Sequence, residues 1–154
     1  MSDLFFDTSG LAKRYIAETG SSWVKSICLP SSGNFISIAG ITVVEMTAAI
    51  TRRKRGGSLT AADAAIALAQ FDVDLSNEYF VLEITPALLT EARDFAENYG
   101  LRGYDAVQLA AAVVFNRQQT AFGLPTITLV TADIELFNAA RAEGLNVENP
   151  NNYP

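Results

Sequence analysis

Histidine is absent from this sequence of 154 residues, and cysteine occurs once, at Cys28. The first absence excludes Ser-His-Asp and Cys-His nucleophilic machinery, imidazole general bases and His-ligated metal sites. The second excludes a disulfide framework and a Cys-rich zinc site. Flanked by Ile27 and Leu29, Cys28 reads as a small core residue. Lysine is scarce, and none follows Lys54. Long hydrophobic runs are missing as well: the longest apolar-rich window, 36–50, contains Glu45 and several polar residues and is too short to span a bilayer. The opening Met1-Ser2-Asp3-Leu4-Phe5-Phe6-Asp7 has neither the basic n-region nor the apolar stretch of a signal peptide. A soluble, cytoplasmic protein with no membrane partner is expected.

What is present is a chain that can fold by itself. With 49% hydrophobic and 18% charged residues it does not have the composition of a disordered protein. Its length suits one domain, spanning 1–154, with a core large enough to need no covalent staple. Acidic residues outnumber basic ones, 17 to 11, so the molecule as a whole does not advertise polyanion binding. The basic residues are uneven, however: Arg52-Arg53-Lys54-Arg55 holds four of them in one run, and Lys13-Arg14 adds two. Chemistry is left to carboxylates, hydroxyls, amides and these cations.

Short β-rich runs alternate with helical patterns, which predicts an α/β fold with a mainly parallel central sheet covered on both faces. The strands are expected at 4–6, 35–38, 79–82, 127–130 and 145–147. Val107, Ala110, Ala111, Val114 and Phe115 recur at helical spacing, as do Ala64, Leu68, Phe71 and Leu75, and Leu88, Ala92, Phe95 and Tyr99. Thr85-Pro86 supplies a cap and a first-turn proline. Gly56-Gly57 closes the helix carrying the basic run, and Gly20, Gly100 and Gly144 mark other junctions. Two successive helices, about 43–55 and 60–75, stand between the second and third strands, an insertion beyond a simple βαβ unit.

In an open parallel sheet, sites form outside the carboxyl ends of the strands. Asp7 closes the first strand, Glu45 lies near the start of the helix after the second, Asp105 opens the helix at 103–115, and Asp133 follows the fourth strand. Four carboxylates at one sheet edge, with no histidine or cysteine beside them, suit Mg²⁺ or Mn²⁺. Two unit charges about 4 Å apart repel by roughly 4 kcal/mol at an effective dielectric near 20, so convergence calls for a cation or a shared proton. Each residue also has a capping role open to it. Thr42-Val43-Val44-Glu45 matches a capping box, Asp105 stands three residues before Gln108, and Asp7 and Asp133 precede helices. Glu135 is a further candidate ligand or a first-turn charge that complements the helix dipole. Thr8, Ser9 and Thr131 could orient ligands or serve turns. The basic run offers Arg52 and Arg55 on one helical face. It can complement its helix dipole, contact RNA phosphates or meet an acidic segment of a partner.

With these positions in place, the chain resembles the PIN-domain family, and within it the VapC-like toxin ribonucleases of type II toxin–antitoxin systems. The residues that carry the resemblance span nearly the whole length: Phe6-Asp7-Thr8-Ser9-Gly10-Leu11-Ala12-Lys13, Thr42-Val43-Val44-Glu45, Leu101-Arg102-Gly103-Tyr104-Asp105-Ala106-Val107-Gln108-Leu109-Ala110, and Val130-Thr131-Ala132-Asp133. It implies a three-layer α/β/α sandwich and a metal-dependent endoribonuclease with Asp7, Glu45, Asp105 and Asp133 in the family's acidic positions. It also implies a homodimer and a cognate VapB-like antitoxin. An aspartate-based phosphotransfer domain fits less well, because Asp7 is followed by Thr8 and Ser9 and the late lysine of receivers is missing. A non-enzymatic binding module on the same fold is the other alternative, which retention of all four carboxylates opposes.

Overall fold

The computed structural model describes residues 1–154. Its centre is a five-stranded, wholly parallel sheet: β1 (Asp3–Phe6), β2 (Phe35–Ala39), β3 (Tyr79–Leu82), β4 (Thr128–Val130) and β5 (Asn146–Glu148). The strand order is β3-β2-β1-β4-β5, so the first strand made becomes the middle of the sheet. The chain builds outward from β1 through β2 to β3, then returns to lay β4 on the other side of β1. The crevice between β1 and β4 is therefore the topological switch point, where ligands bind in open α/β sheets.

Seven helices cover the sheet: α1 (Thr8–Tyr15), α2 (Ser21–Ile27), α3 (Gly40–Arg55), α4 (Ala61–Asn77), α5 (Pro86–Tyr99), α6 (Gly103–Ala121) and α7 (Ile134–Ala142). The period-2 alternation of the strands divides the core. Leu4 and Phe6 of β1 join Ile36, Ile38 and Val130 in a cluster with Leu11, Val24, Met46, Ile50 and Phe71 from the first four helices. Phe5 and Leu129 point the other way, into a cluster with Leu88, Phe95, Leu109, Phe115 and Leu136 of α5, α6 and α7. Three layers result. Each buried Phe contributes about 1.5–3 kcal/mol of transfer free energy, and a one-residue slip in β1 would send all three side chains to the wrong face.

Two helical faces differ from the sequence expectation. In α6 the buried set is Ala106, Gln108, Leu109, Ala110, Ala111, Ala112 and Phe115, whereas Val107 and Val114 are only partly covered. The helix lies between α5 and α7, so it is enclosed over more than one stripe, and small alanines permit that approach. In α4, Ala64 and Phe71 are buried as expected, but Leu68 and Leu75 are half-exposed while Asp74 is buried. Asp74 accepts from the Tyr15 hydroxyl and the Gln70 amide, both at 2.7 Å, and lies 3.4 Å from Arg14. Arg14 also donates to Tyr79 and Glu78, so a polar knot fastens α1 to α4 and β3. No helix is long and apolar enough to cross a membrane.

Candidate active site

Residues from both ends of the chain meet at the carboxyl edge of the sheet. Asp7 follows β1 directly and caps α1, accepting from the Gly10 backbone N–H at 2.8 Å. A Cβ at Gly10 would collide with the Val130 carbonyl, so glycine there lets the first turn of α1 sit against the end of β4. Asp7 consequently lies beside Thr131, whose hydroxyl donates to Oδ2 at 2.9 Å. Ser9 Oγ donates to the same carboxylate at 2.8 and 2.9 Å and accepts from the Ala132 N–H. Thr131 Oγ1 in turn accepts from the Asp133 N–H at 3.1 Å. Ser9 and Thr131 thus both hydrogen-bond Asp7, and the Thr8 hydroxyl donates to Glu45 Oε1 at 2.9 Å.

Two of the four capping roles hold. Asp133 caps α7 through Leu136 N–H at 2.8 Å, and Asp7 caps α1. The capping box at Thr42–Glu45 does not form, because α3 starts at Gly40 straight out of β2 and places both residues inside the helix. Asp105 is no cap either: the N-cap of α6 is Arg102, and Asp105 stands in the first turn. Glu45 and Asp105 are therefore free of structural duty at their helix ends.

All four carboxylates line one cleft of about 670 Å³, together with Thr8, Ser9, Lys13, Glu18, Arg52, Arg53, Arg102 and Gln108. Asp133, the N-cap of α7, lines the cleft; Glu135 is exposed and outside this lining, yet its charge still raises the Asp105 pKa. The electrostatics match a crowded anionic centre. Burial pushes the Asp7 carboxyl up to about 6 despite its donors Gly10, Ser9 and Thr131, and Asp105 adds repulsion. Asp105 is likewise pushed up to about 6, first by burial, then by Asp133 and Glu45, with Arg102 opposing. An all-oxygen donor set whose charge is only partly neutralised fits a hard cation. No group of three carboxylates already surrounds a common ion position.

No protein-family model matches the chain, and neither does any curated protein. Solved structures do. PAE2754 from Pyrobaculum aerophilum superposes with a TM-score of 0.65 at 23% identity, over 98% of this chain and 85% of that one. VapBC2 from Rickettsia felis, bound to a DNA fragment from its promoter, gives 0.61 at 18% identity over 96% and 98% of the two chains. VapC20 from Mycobacterium tuberculosis, a toxin that cleaves the sarcin–ricin loop, gives 0.61 at 17% identity over 92% and 95%. This is the PIN fold of VapC toxins.

On this PIN fold the basic run divides differently from the sequence expectation. Arg52 and Arg53 line the cleft, whereas Lys54 and Arg55 do not. Arg53 is held by Glu18 at 2.9 Å, and Glu18 also lies 3.6 Å from buried Lys13. Arg52 and Arg102 have no ion-pair partner. Sequence reasoning missed Arg102, Lys13 and Glu18 as cleft residues. It assigned Gln108 no site role, offering it as a capping partner of Asp105 and as part of the block that carries the resemblance; the amide instead donates to Glu45, Thr42 and Thr8. The one available signal was its polarity within an otherwise apolar stretch of α6.

Proposed function

We propose that this protein is a metal-dependent endoribonuclease, the toxin of a toxin–antitoxin pair. The observation that carries the reading is the meeting of Asp7 and Asp105, both pushed up to about 6, in one oxygen-lined cleft rimmed by the unpaired Arg52 and Arg102. Asp7, Glu45, Asp105 and Asp133 would hold Mg²⁺ or Mn²⁺, which when bound lowers the pKa of water and offsets charge developing at phosphorus.

The chain's own groups set the geometry of that reaction. Ser9 and Thr131 fix Asp7, and Thr8 and Gln108 fix Glu45, so the reacting phosphate meets carboxylates of defined orientation. Arg52 and Arg102 receive the flanking phosphates. Hydrolysis adds water across one P–O bond: the water oxygen joins phosphorus, one water proton passes to a cleft carboxylate, the P–O bond to the leaving oxygen breaks, and that oxygen takes up a proton from solvent while the carboxylate returns its own.

The resemblance to VapC toxins and the superposition on the VapBC2 structure support a VapB-like antitoxin as partner, and the homodimer belongs to the same proposal. Incubating purified, antitoxin-free protein with total RNA tests the activity. Discrete cleavage is expected with Mg²⁺ or Mn²⁺ and none with chelator; intact RNA under both conditions overturns the reading.

A further inference from the structure

The cleft has an annex. Thr8, Glu45, Asp105, Arg52 and Arg102 line the cleft on one side and a second hollow, of about 470 Å³, on the other. The residues the hollow adds are Ile41, Val44, Ala48 and Tyr104. Ile41, Val44 and Ala48 share with Glu45 and Arg52 one stripe of α3, at spacings of three, four and seven residues. Tyr104 projects from the first turn of α6. Val44 is 69% exposed and Tyr104 64%, so neither serves the core. An open aromatic ring and an aliphatic shelf thus adjoin two cations without partners and two carboxylates of the proposed metal centre.

We propose that this hollow binds an unpaired nucleobase of single-stranded RNA, stacked on Tyr104 against the Ile41–Val44–Ala48 shelf, beside the phosphate that lies at the carboxylates. The inference rests on the nuclease reading above. Every nucleobase has a π-face that an aromatic side chain can cover, and stacking of this kind tolerates sequence. A duplex keeps its base faces covered, so only an unpaired strand can supply one. Charge favours nucleic acid over a protein segment here. An acidic peptide drawn to Arg52 and Arg102 would have to lie against Glu45 and Asp105, whereas a phosphodiester meets the cation those carboxylates hold. An apolar peptide would cover the shelf and leave both arginines unpaired.

Binding of two short single strands of equal length, one carrying bases and one abasic at its central positions, tests the proposal. All proteins carry Asp7→Asn, so that strands stay intact in Mg²⁺. Tyr104→Ala is expected to weaken the base-bearing strand about 5- to 100-fold, the range seen for loss of one stacked base. Tyr104→Phe should bind it as the parent does, and the abasic strand should not distinguish the three. Equal affinity of Tyr104→Ala and its parent for the base-bearing strand, while Arg52→Gln weakens it, overturns the subsite. It would leave the nuclease reading standing and give the shelf to a protein segment. Equal weakening of both strands by Tyr104→Ala also overturns it. Absence of salt-dependent binding to either strand removes the nucleic-acid reading and the subsite together.

Discussion

Gln108 on α6 donates its amide to Glu45 Oε1 on α3 at 3.0 Å, and the same nitrogen lies 2.8 Å from Thr42 Oγ1. The Thr8 hydroxyl donates to that carboxylate oxygen too, at 2.9 Å. One oxygen of Glu45 is thereby occupied, and no protein hydrogen bond reaches the other. The amide can face only one way, since turning it over would set its carbonyl against the carboxylate. Its Oε1 has no protein hydrogen-bond partner, so the amide's bonding is spent on the Glu45 side.

Gln108→Leu should therefore lower Mn²⁺ affinity and RNA cleavage about 10- to 100-fold, the usual penalty for losing a residue that orients a ligand. The circular dichroism spectrum should remain that of wild type. Wild-type Mn²⁺ titration and cleavage rate in the variant would reduce Gln108 to a packing role.

Asp7→Asn and Asp105→Asn should each abolish metal-dependent cleavage without unfolding the protein. Asn is a competent cap, so the start of α1 survives the first change, and Asp105 caps nothing. Cleavage at the wild-type rate by either purified variant would remove that residue from the mechanism.

The legibility of this site in the sequence is uneven, for identifiable reasons. Most strands announce themselves as short aliphatic or aromatic runs, and β3 falls on the expected residues at both ends, whereas β5, Asn146-Val147-Glu148, is a weaker signal. Helix α2 is hard to read, because in seven residues Trp23, Val24 and Ile27 make barely one turn of apolar period and only Ser21 and Val24 are buried. Acidic residues at strand ends can be placed from topology alone. Gln108 cannot, since its partners lie 63, 66 and 100 residues away and polarity by itself does not name them. Helical spacing puts Arg52 and Arg55 on one face, but spacing does not show which stripe of α3 overlooks the cleft.

Acidity supplies a third prediction. Folding raises the Asp105 pKa to about 6, so the folded state favours the protonated carboxyl. That contribution is fully present below the ordinary carboxylate pKa of about 4 and is lost as pH rises through about 6. In chelator, the melting temperature of Asp105→Asn should match wild type near pH 4 and exceed it increasingly towards neutrality. Added Mn²⁺ should stabilise wild type more than the variant. Melting curves that coincide across this range, with and without metal, would show that neither burial nor anionic neighbours act on Asp105.

Salt dependence separates the cations. Arg52 and Arg102 are unpaired in the cleft, and each cation withdrawn from a phosphate of a single strand lowers the log–log salt slope by about 0.7. Replacing both by Gln should reduce it by about 1.4, whereas Arg55→Gln should leave it unchanged. A slope that responds to Arg55 instead would relocate the RNA path to the far end of α3.

The strand order has a bearing on synthesis. Leu4 of β1 pairs with Thr128 of β4, and Asp7 takes a hydrogen bond from Thr131, so β1 waits for a strand made 124 residues later. Until then one edge of β1 is bare, and neither Thr131 nor Asp133 exists to complete the cleft. A nascent chain of this topology holds no assembled carboxylate centre. A nuclease built on it would stay harmless to the message that encodes it until β4 and the residues that follow it had been made.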